Sequence, residues 1–284
     1  MEERLSVDIL SPEAIARKAE NVGVNKANYN IRTTITLGIL AGAFIALASE
    51  FYLVAVFDAG FFSSFTRILG GLVFSLGLIL VILTGAELFT GNTLLLIAFM
   101  TKKITIRKLL RNWGLVYFGN FIGAIGMAAI VFLSRQWEVG EGLLGAHAMY
   151  IAVNKVSMDF WEAFFSGILA NSLVVLAIWI SYSGRTATDK IIAVILPITA
   201  FVASGFEHSI ANMFFIPFGI MVKSSPLVKE VFLSEFPEMA LGIENLNWAG
   251  FILNNLVPVT LGNIIGGGVL VGLAYWFVYL HRVQ

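Results

Sequence analysis

The residues able to do chemistry in this chain gather at two places. Glu207-His208 sets a carboxylate and an imidazole side by side, with Asn212 shortly after. Glu87, Thr90 and Asn92 form a second polar group that has no His. Both groups interrupt long apolar stretches, and ionisable side chains at such depth face cavities or one another. His208 is the sharpest candidate. An imidazole changes charge near neutral pH, so an arriving anion would take or share its proton; the plainer reading is a hydrogen-bonded core His. Thr90 is a small hydroxyl that would coordinate a small polar solute opposite the imidazole, or else cap its own half-helix. Glu87 and Glu207 read as a structural pair whose carboxylates accept hydrogen bonds from orphan N–H groups of the next half-helix, with proton relay as the alternative. Asn92 and Asn212 are expected to hold the breaks through local side-chain bonds.

The elements that carry these groups are apolar and long. About 20 mostly apolar residues cross the hydrocarbon core as a helix. Six such stretches are present: Thr33–Phe57, Ile68–Ala86 with its tail Leu94–Met100, Asn112–Leu133, Phe160–Tyr182, Ile191–Val222 and Trp248–Leu280. The second and fifth are too polar in the middle to be plain helices, with breaks expected at Glu87–Thr93 and Glu207–Met213. Ahead of them, Ser11-Pro12-Glu13 reads as a helix start and Gly23 as its stop, giving a short surface helix. The first 32 residues lack the basic start and apolar run of a signal peptide.

The two broken stretches resemble each other. Gly85, Glu87 and Asn92 fall at the same offsets as Gly205, Glu207 and Asn212. Gly119-Asn120-Phe121-Ile122-Gly123 pairs with Gly262-Asn263-Ile264-Ile265-Gly266, and G-I-L-A occurs at both Gly38–Ala41 and Gly167–Ala170. The order is the same in both halves, which indicates a duplication: repeat 1 over about 31–133 and repeat 2 over about 158–282. Three stretches per repeat is odd, so the second copy enters the membrane from the opposite side, and broken helices that meet at such a pseudo-two-fold axis mark a permeation site. The expected organisation is a segment 1–30 followed by one membrane channel domain, 31–284.

Composition agrees. The chain is 58% hydrophobic and 13% charged, against roughly 45–50% and about 25% in soluble domains. Twenty-four Phe and six Trp exclude disorder, and the absence of Cys excludes disulfides and thiolate chemistry. Eighteen basic and eighteen acidic residues cancel, leaving no net field for nucleic acid. Three His are too few for a multi-His metal site, and no Walker loop, dinucleotide fingerprint or nucleophile elbow occurs. No cofactor is expected. With six spans both termini share a side that holds thirteen of the eighteen Lys and Arg, which places both termini in the cytoplasm.

Apolar residues beside the breaks would stop water and hydrated ions: Phe74, Leu78, Leu88, Phe89, Val174 and Phe201. Lys155 falls in an outward loop, where it is either solvated or recruits anions. These features favour a transport pathway. A water- or glycerol-type channel would carry a fixed cation at the breaks, and neither break has one; a membrane-embedded enzyme using Glu207 and His208 as acid and base, and a bare scaffold, fit the paired polar breaks less well.

Phe201–Met213 (F-V-A-S-G-F-E-H-S-I-A-N-M) and Gly85–Asn92 (G-A-E-L-F-T-G-N) resemble the formate–nitrite transporter family. Ser181–Arg185, Asn212–Ile220 and Pro258–Gly268 look most like its formate channels. The resemblance runs from about Ile9 to Tyr279. It implies an aquaporin-like six-helix protomer in the inner membrane, a homopentamer with one pore per protomer, and passage of formate, nitrite or hydrosulfide through the bilayer rather than enzymatic turnover. It further implies that His208 is the family's central His, Thr90 its break-loop Thr, Lys155 its vestibule Lys and Asn263 a polar pathway residue. Glu87 stands where formate channels carry Asp, which resembles the nitrite and hydrosulfide branches.

Overall fold

A computed structural model describes residues 9–58 and 63–281; Arg4 and Arg282, two of the basic residues counted for orientation, lie outside them. The described chain is all-α. α1 (Pro12–Ala27) is capped by Ser11, whose side chain accepts from Ala14 N. α2 (Ile31–Val56) and α3 (Ser64–Thr84) follow, then two short helices, α4 (Phe89–Asn92) and α5 (Leu95–Met100), and α6 (Ile106–Leu133). α7 (Leu143–Ser157) precedes the second set: α8 (Phe160–Ser183), α9 (Ala187–Ala203), α10 (Ser209–Val222) and α11 (Pro226–Glu235). The last helix, α12 (Gly250–Tyr279), winds as a π-helix over Gly250–Leu256 and Ile264–Leu273.

Five of these helices are long and apolar enough to cross a membrane. Their starts are set by local chemistry: Asn30, Ser63, Thr105 and Asp159 each accept a backbone N–H at a helix N-terminus, and Thr186 with Asp189 forms a capping box. Their outer faces carry large apolar side chains in the open, among them Leu40, Phe51, Phe118, Ile130, Leu253 and Leu270. Apolar surface of that extent belongs in lipid or against another subunit. The chain is a multi-pass membrane protein.

The two halves pack in the same way. α2 lies against α6 and α8 against α12. A Cβ on Gly123 would sit 2.0 Å from Ile39 O, and one on Gly266 would sit 2.1 Å from Ile168 O. Any other residue at either glycine would push the helix pair apart.

Several expectations are corrected. Gly23 does not stop α1. It lies buried in mid-helix, where an added Cβ would come 3.2 Å from Ala98 Cβ, so its small size serves close packing. The third stretch begins at Ile106, six residues earlier than its apolar run, because Thr105 caps a basic first turn outside the hydrocarbon. The backbone breaks also sit earlier than the polar residues suggest. Gly85 (φ +75°) and Gly205 (φ +73°) are left-handed and end α3 and α9, with Ala86 N bonding Val81 O and Phe206 N bonding Phe201 O. The chain is helical again from Phe89 and from Ser209, so Asn92 and Asn212 stand inside half-helices.

Candidate functional site

The site grows out of the two breaks. A half-helix that starts in the middle of a protein exposes N–H groups that need acceptors. At the first break Phe89 N donates to Asn120 Oδ1 at 2.9 Å, and at the second Ser209 N donates to Asn263 Oδ1 at 2.9 Å. Each Asn also donates through Nδ2 to two carbonyls: Asn120 to Gly38 O and Glu87 O, and Asn263 to Gly167 O and Glu207 O. One buried amide thus satisfies three buried backbone groups, of which the orphan N–H would otherwise cost ~1–3 kcal/mol. The carboxylates of Glu87 and Glu207 had been expected to take the orphan N–H groups. They are instead held by side chains.

Glu87 Oε1 lies 3.0 Å from Lys26 Nζ, and its Oε2 accepts from Asn92 Nδ2 at 2.7 Å. Asn92 Nδ2 also donates to Asn112 Oδ1 at 2.9 Å. The second break repeats the arrangement: Glu207 Oε1 is 2.6 Å from Lys155 Nζ, Glu207 Oε2 accepts from Asn212 Nδ2 at 2.6 Å, and Asn212 Nδ2 donates to Asn255 Oδ1 at 2.7 Å. Both carboxylates are buried, and a buried charge needs such pairing. Lys26 belongs to the surface helix α1. Burial opposes its charge and is the largest single influence, but the Glu87 carboxylate together with Tyr182 and Tyr29 outweighs it and holds the pKa above the ordinary lysine value of 10.5.

Lys155 is not in a loop. It occupies the last turn of α7, its side chain is 14% exposed, and its Nζ lies 5.6 Å from the Phe215 ring centroid. No sequence signal marked α7 as a helix that folds into the protein.

His208 and Thr90 meet between the breaks. Thr90 Oγ1 is 2.9 Å from His208 Nε2, and both residues are buried. His208 also caps α10: Ala211 N donates to its Nδ1 at 3.2 Å. An accepting Nδ1 carries no proton, so the neutral ring bears its proton on Nε2 and donates it to Thr90 Oγ1. Thr90 does not cap α4 with its hydroxyl; that hydroxyl faces the imidazole, and its carbonyl accepts from Asn171 Nδ2 and Thr93 Oγ1.

A cavity of about 370 Å³ reaches His208; Thr90 lies behind the imidazole and is not among the lining residues. Tyr52, Arg67 and Lys155 line its sides, and Phe74, Phe201 and His208 stand among its walls. Phe74 and Phe201 meet edge to face at 5.7 Å, and Phe201 lies 5.8 Å from the His208 ring. Leu78, Leu88 and Val174 are buried in the main apolar cluster and are not among the cavity's lining residues. Phe89 is turned toward α6, edge-on to Tyr117 at 4.8 Å and Trp113 at 6.1 Å. Asn263 does not line the cavity either, and both of its polar atoms are engaged by the backbone.

Sequence reasoning passed over Asn112, Asn120, Asn255 and Lys26. A signal was present: Asn112 and Asn120 share the spacing of Asn255 and Asn263, and each pair ends in the repeated G-N-x-I-G motif. Lys26 carried no signal, because only folding brings the surface helix to the first break.

Two half-helices that meet around a polar pair, at the foot of a cavity in a bundle of apolar helices, define a membrane channel or transporter. The sequence pattern of the formate/nitrite transporter family matches residues 13–277, and the chain belongs to that family. It is 44% identical to the formate channel FocA of Escherichia coli strain K12 over 276 residues, 97% of this chain and 96% of that protein. It is 43% identical to the formate channel FocA of Haemophilus influenzae over 279 residues, 95% of each. Among solved structures, a pentameric formate channel with formate bound superposes with a TM-score of 0.80 at 45% identity, covering 88% of this chain and 98% of that one.

Proposed function

We propose that this protein is a channel for small monovalent anions of weak acids, formate foremost, and that it carries no enzymatic activity. The observation that carries the reading is the Thr90–His208 contact of 2.9 Å at the foot of the cavity, beside the Phe74–Phe201 pair. With Nε2–H donated to Thr90 Oγ1, the Thr90 hydroxyl proton is left to point at an anion. Apolar rings make a bare anion costly, because its desolvation is not repaid there. An anion crosses the rings as the neutral acid when the Thr90 hydroxyl gives it a proton. In the same step His208, first charged by a proton taken from solvent at Nδ1, passes its Nε2–H to Thr90 Oγ1, which returns the ring to its neutral form. Phe74 and Phe201 form the ring on the cavity side; Leu78, Leu88 and Val174 form the other.

In this reading the chain is a homopentamer in the inner membrane with one pore per protomer, both termini are cytoplasmic, and the cavity opens outward. Residues 31–284 form the channel domain as two inverted three-span repeats, and α9 with α10 makes the broken fifth span. The similarity to a pentameric formate channel, the excess of basic residues on the terminal side and the paired hydrogen-bond sets support it. Nitrite and hydrosulfide are the alternative substrates, favoured by Glu87 in the first break.

The test is uptake of formate, nitrite and hydrosulfide into proteoliposomes at two pH values. Fast formate flux that changes with pH is expected. Fast nitrite or hydrosulfide with poor formate would transfer the protein to another branch of its family, and no flux of any of the three would overturn the reading.

A further inference from the structure

Two cations line the cavity, Arg67 and Lys155, and their situations differ. Lys155 is committed: its Nζ lies 2.6 Å from Glu207 Oε1 and its side chain is 14% exposed. A closed ion pair presents to an approaching anion the weak field of a dipole. Arg67 lies near the start of α3, exposed, and among the described residues no carboxylate forms an ion pair with it. Its guanidinium stands over the second break, since a Cβ built on Gly205 would lie 3.6 Å from Arg67 Nη2. Gly205 is three residues before His208. The free positive charge of this cavity is therefore a planar fork of N–H donors placed above the route to the imidazole.

We infer that Arg67, and not Lys155, is the residue that gathers the anion at the outer mouth and holds it by a bidentate contact before it reaches Phe74 and Phe201. The inference rests on the anion-channel reading above. A guanidinium matches two coplanar oxygens; an ammonium acts as a point charge. Arg67 thus favours anions that offer such a pair, as formate and nitrite do, over hydrosulfide, which offers a single atom. Its contribution is a field in open water, so salt screens it.

Arg67→Gln and Arg67→Lys in proteoliposomes test this, with pentamer size and thermal unfolding as controls on folding. For Arg67→Gln the half-saturating formate concentration rises about tenfold at low ionic strength while the maximal flux is kept. The difference from wild type shrinks to under about twofold at 0.5 M salt. Arg67→Lys retains wild-type hydrosulfide uptake but loses about threefold in formate and nitrite half-saturation, as expected for loss of the fork with retention of the charge. A half-saturating concentration and salt dependence equal to wild type in Arg67→Gln would overturn the assignment. Should that variant fail to fold, an Arg67→Lys that treats the three anions alike overturns the bidentate contact. A wild type that passes none of them overturns the channel reading and this assignment with it.

Discussion

At the first break Glu87 is tied to Lys26, Asn92 and, through Asn92, Asn112, and Phe89 N is received by Asn120. At the second break Glu207 is tied to Lys155, Asn212 and Asn255, and Ser209 N is received by Asn263. The frames share a Glu–Lys–Asn–Asn plan, although one lysine comes from a surface helix and the other from α7, Lys26 alone also donates to its Asn Oδ1, and Asn255 alone donates to its Glu directly. The contents differ at five of the eight aligned positions, and two of these supply the polar pair. Leu88 stands where the second half has His208, and Thr90 where it has Ile210. The halves therefore share the solution to a backbone problem and divide the chemistry, the imidazole coming from one and the hydroxyl from the other. In the proposed channel, what the two halves share is scaffold and what they do not share is function.

The comparison breaks most sharply at the lysines. Lys26→Met and Lys155→Met each strand a buried carboxylate, a loss of ~3–5 kcal/mol. Thermal unfolding of the two variants should fall by similar amounts. A large loss in one and none in the other would show that the two frames are not energetically alike. The Lys26 pair has a defined pH window. Its folded pKa is raised, so its stabilisation is complete below the unfolded lysine value near 10.5 and is lost only as pH rises through the folded value. Unfolding temperatures compared between wild type and Lys26→Met should therefore differ by a constant amount from pH 6 to 9, roughly, and converge only in stronger alkali.

Next come Asn120→Ala and Asn263→Ala. Each leaves an N–H and two carbonyls without their side-chain partner, for a loss of ~2–3 kcal/mol apiece. Equal losses of stability support two clamps. Flux reduced with unchanged stability in Asn263→Ala alone would make Asn263 a pathway residue after all.

The smallest effect separates the halves elsewhere. Glu50 is buried in α2, and among the described residues neither of its oxygens has a hydrogen-bond partner. Counting from the matched Gly38 and Gly167, its counterpart is Trp179, which stacks on Tyr275 at 4.2 Å. Glu50→Leu should raise the unfolding free energy by ~1–2 kcal/mol by removing an unsatisfied buried group. A destabilised variant would mean that Glu50 has a partner in the assembled protein.

Much of this was legible beforehand because the physics acts locally. The six apolar stretches and the cap at Ser11 follow from period, composition and local hydrogen bonding. His208 and Thr90 stood out as polar residues in apolar surroundings, and their counterparts Leu88 and Ile210 showed that the duplication had diverged there. The positions of the turns were displaced because polarity marks the clamp residues, whereas the left-handed glycines set the breaks. Lys155 was misplaced in a loop, and Lys26 and Arg67 were passed over, for one reason: their roles depend on which carboxylate, if any, folding brings to them.

The central claim is that His208 passes the proton that lets an anion cross. It is tested by formate flux against pH in reconstituted wild type and in His208→Asn, since Asn can cap α10 in place of the imidazole and so preserve the half-helix. The account predicts wild-type flux that varies with pH, and a variant of unchanged unfolding temperature whose flux is lower by at least ~10-fold and indifferent to pH. Equal flux with the same pH dependence in both proteins would contradict it.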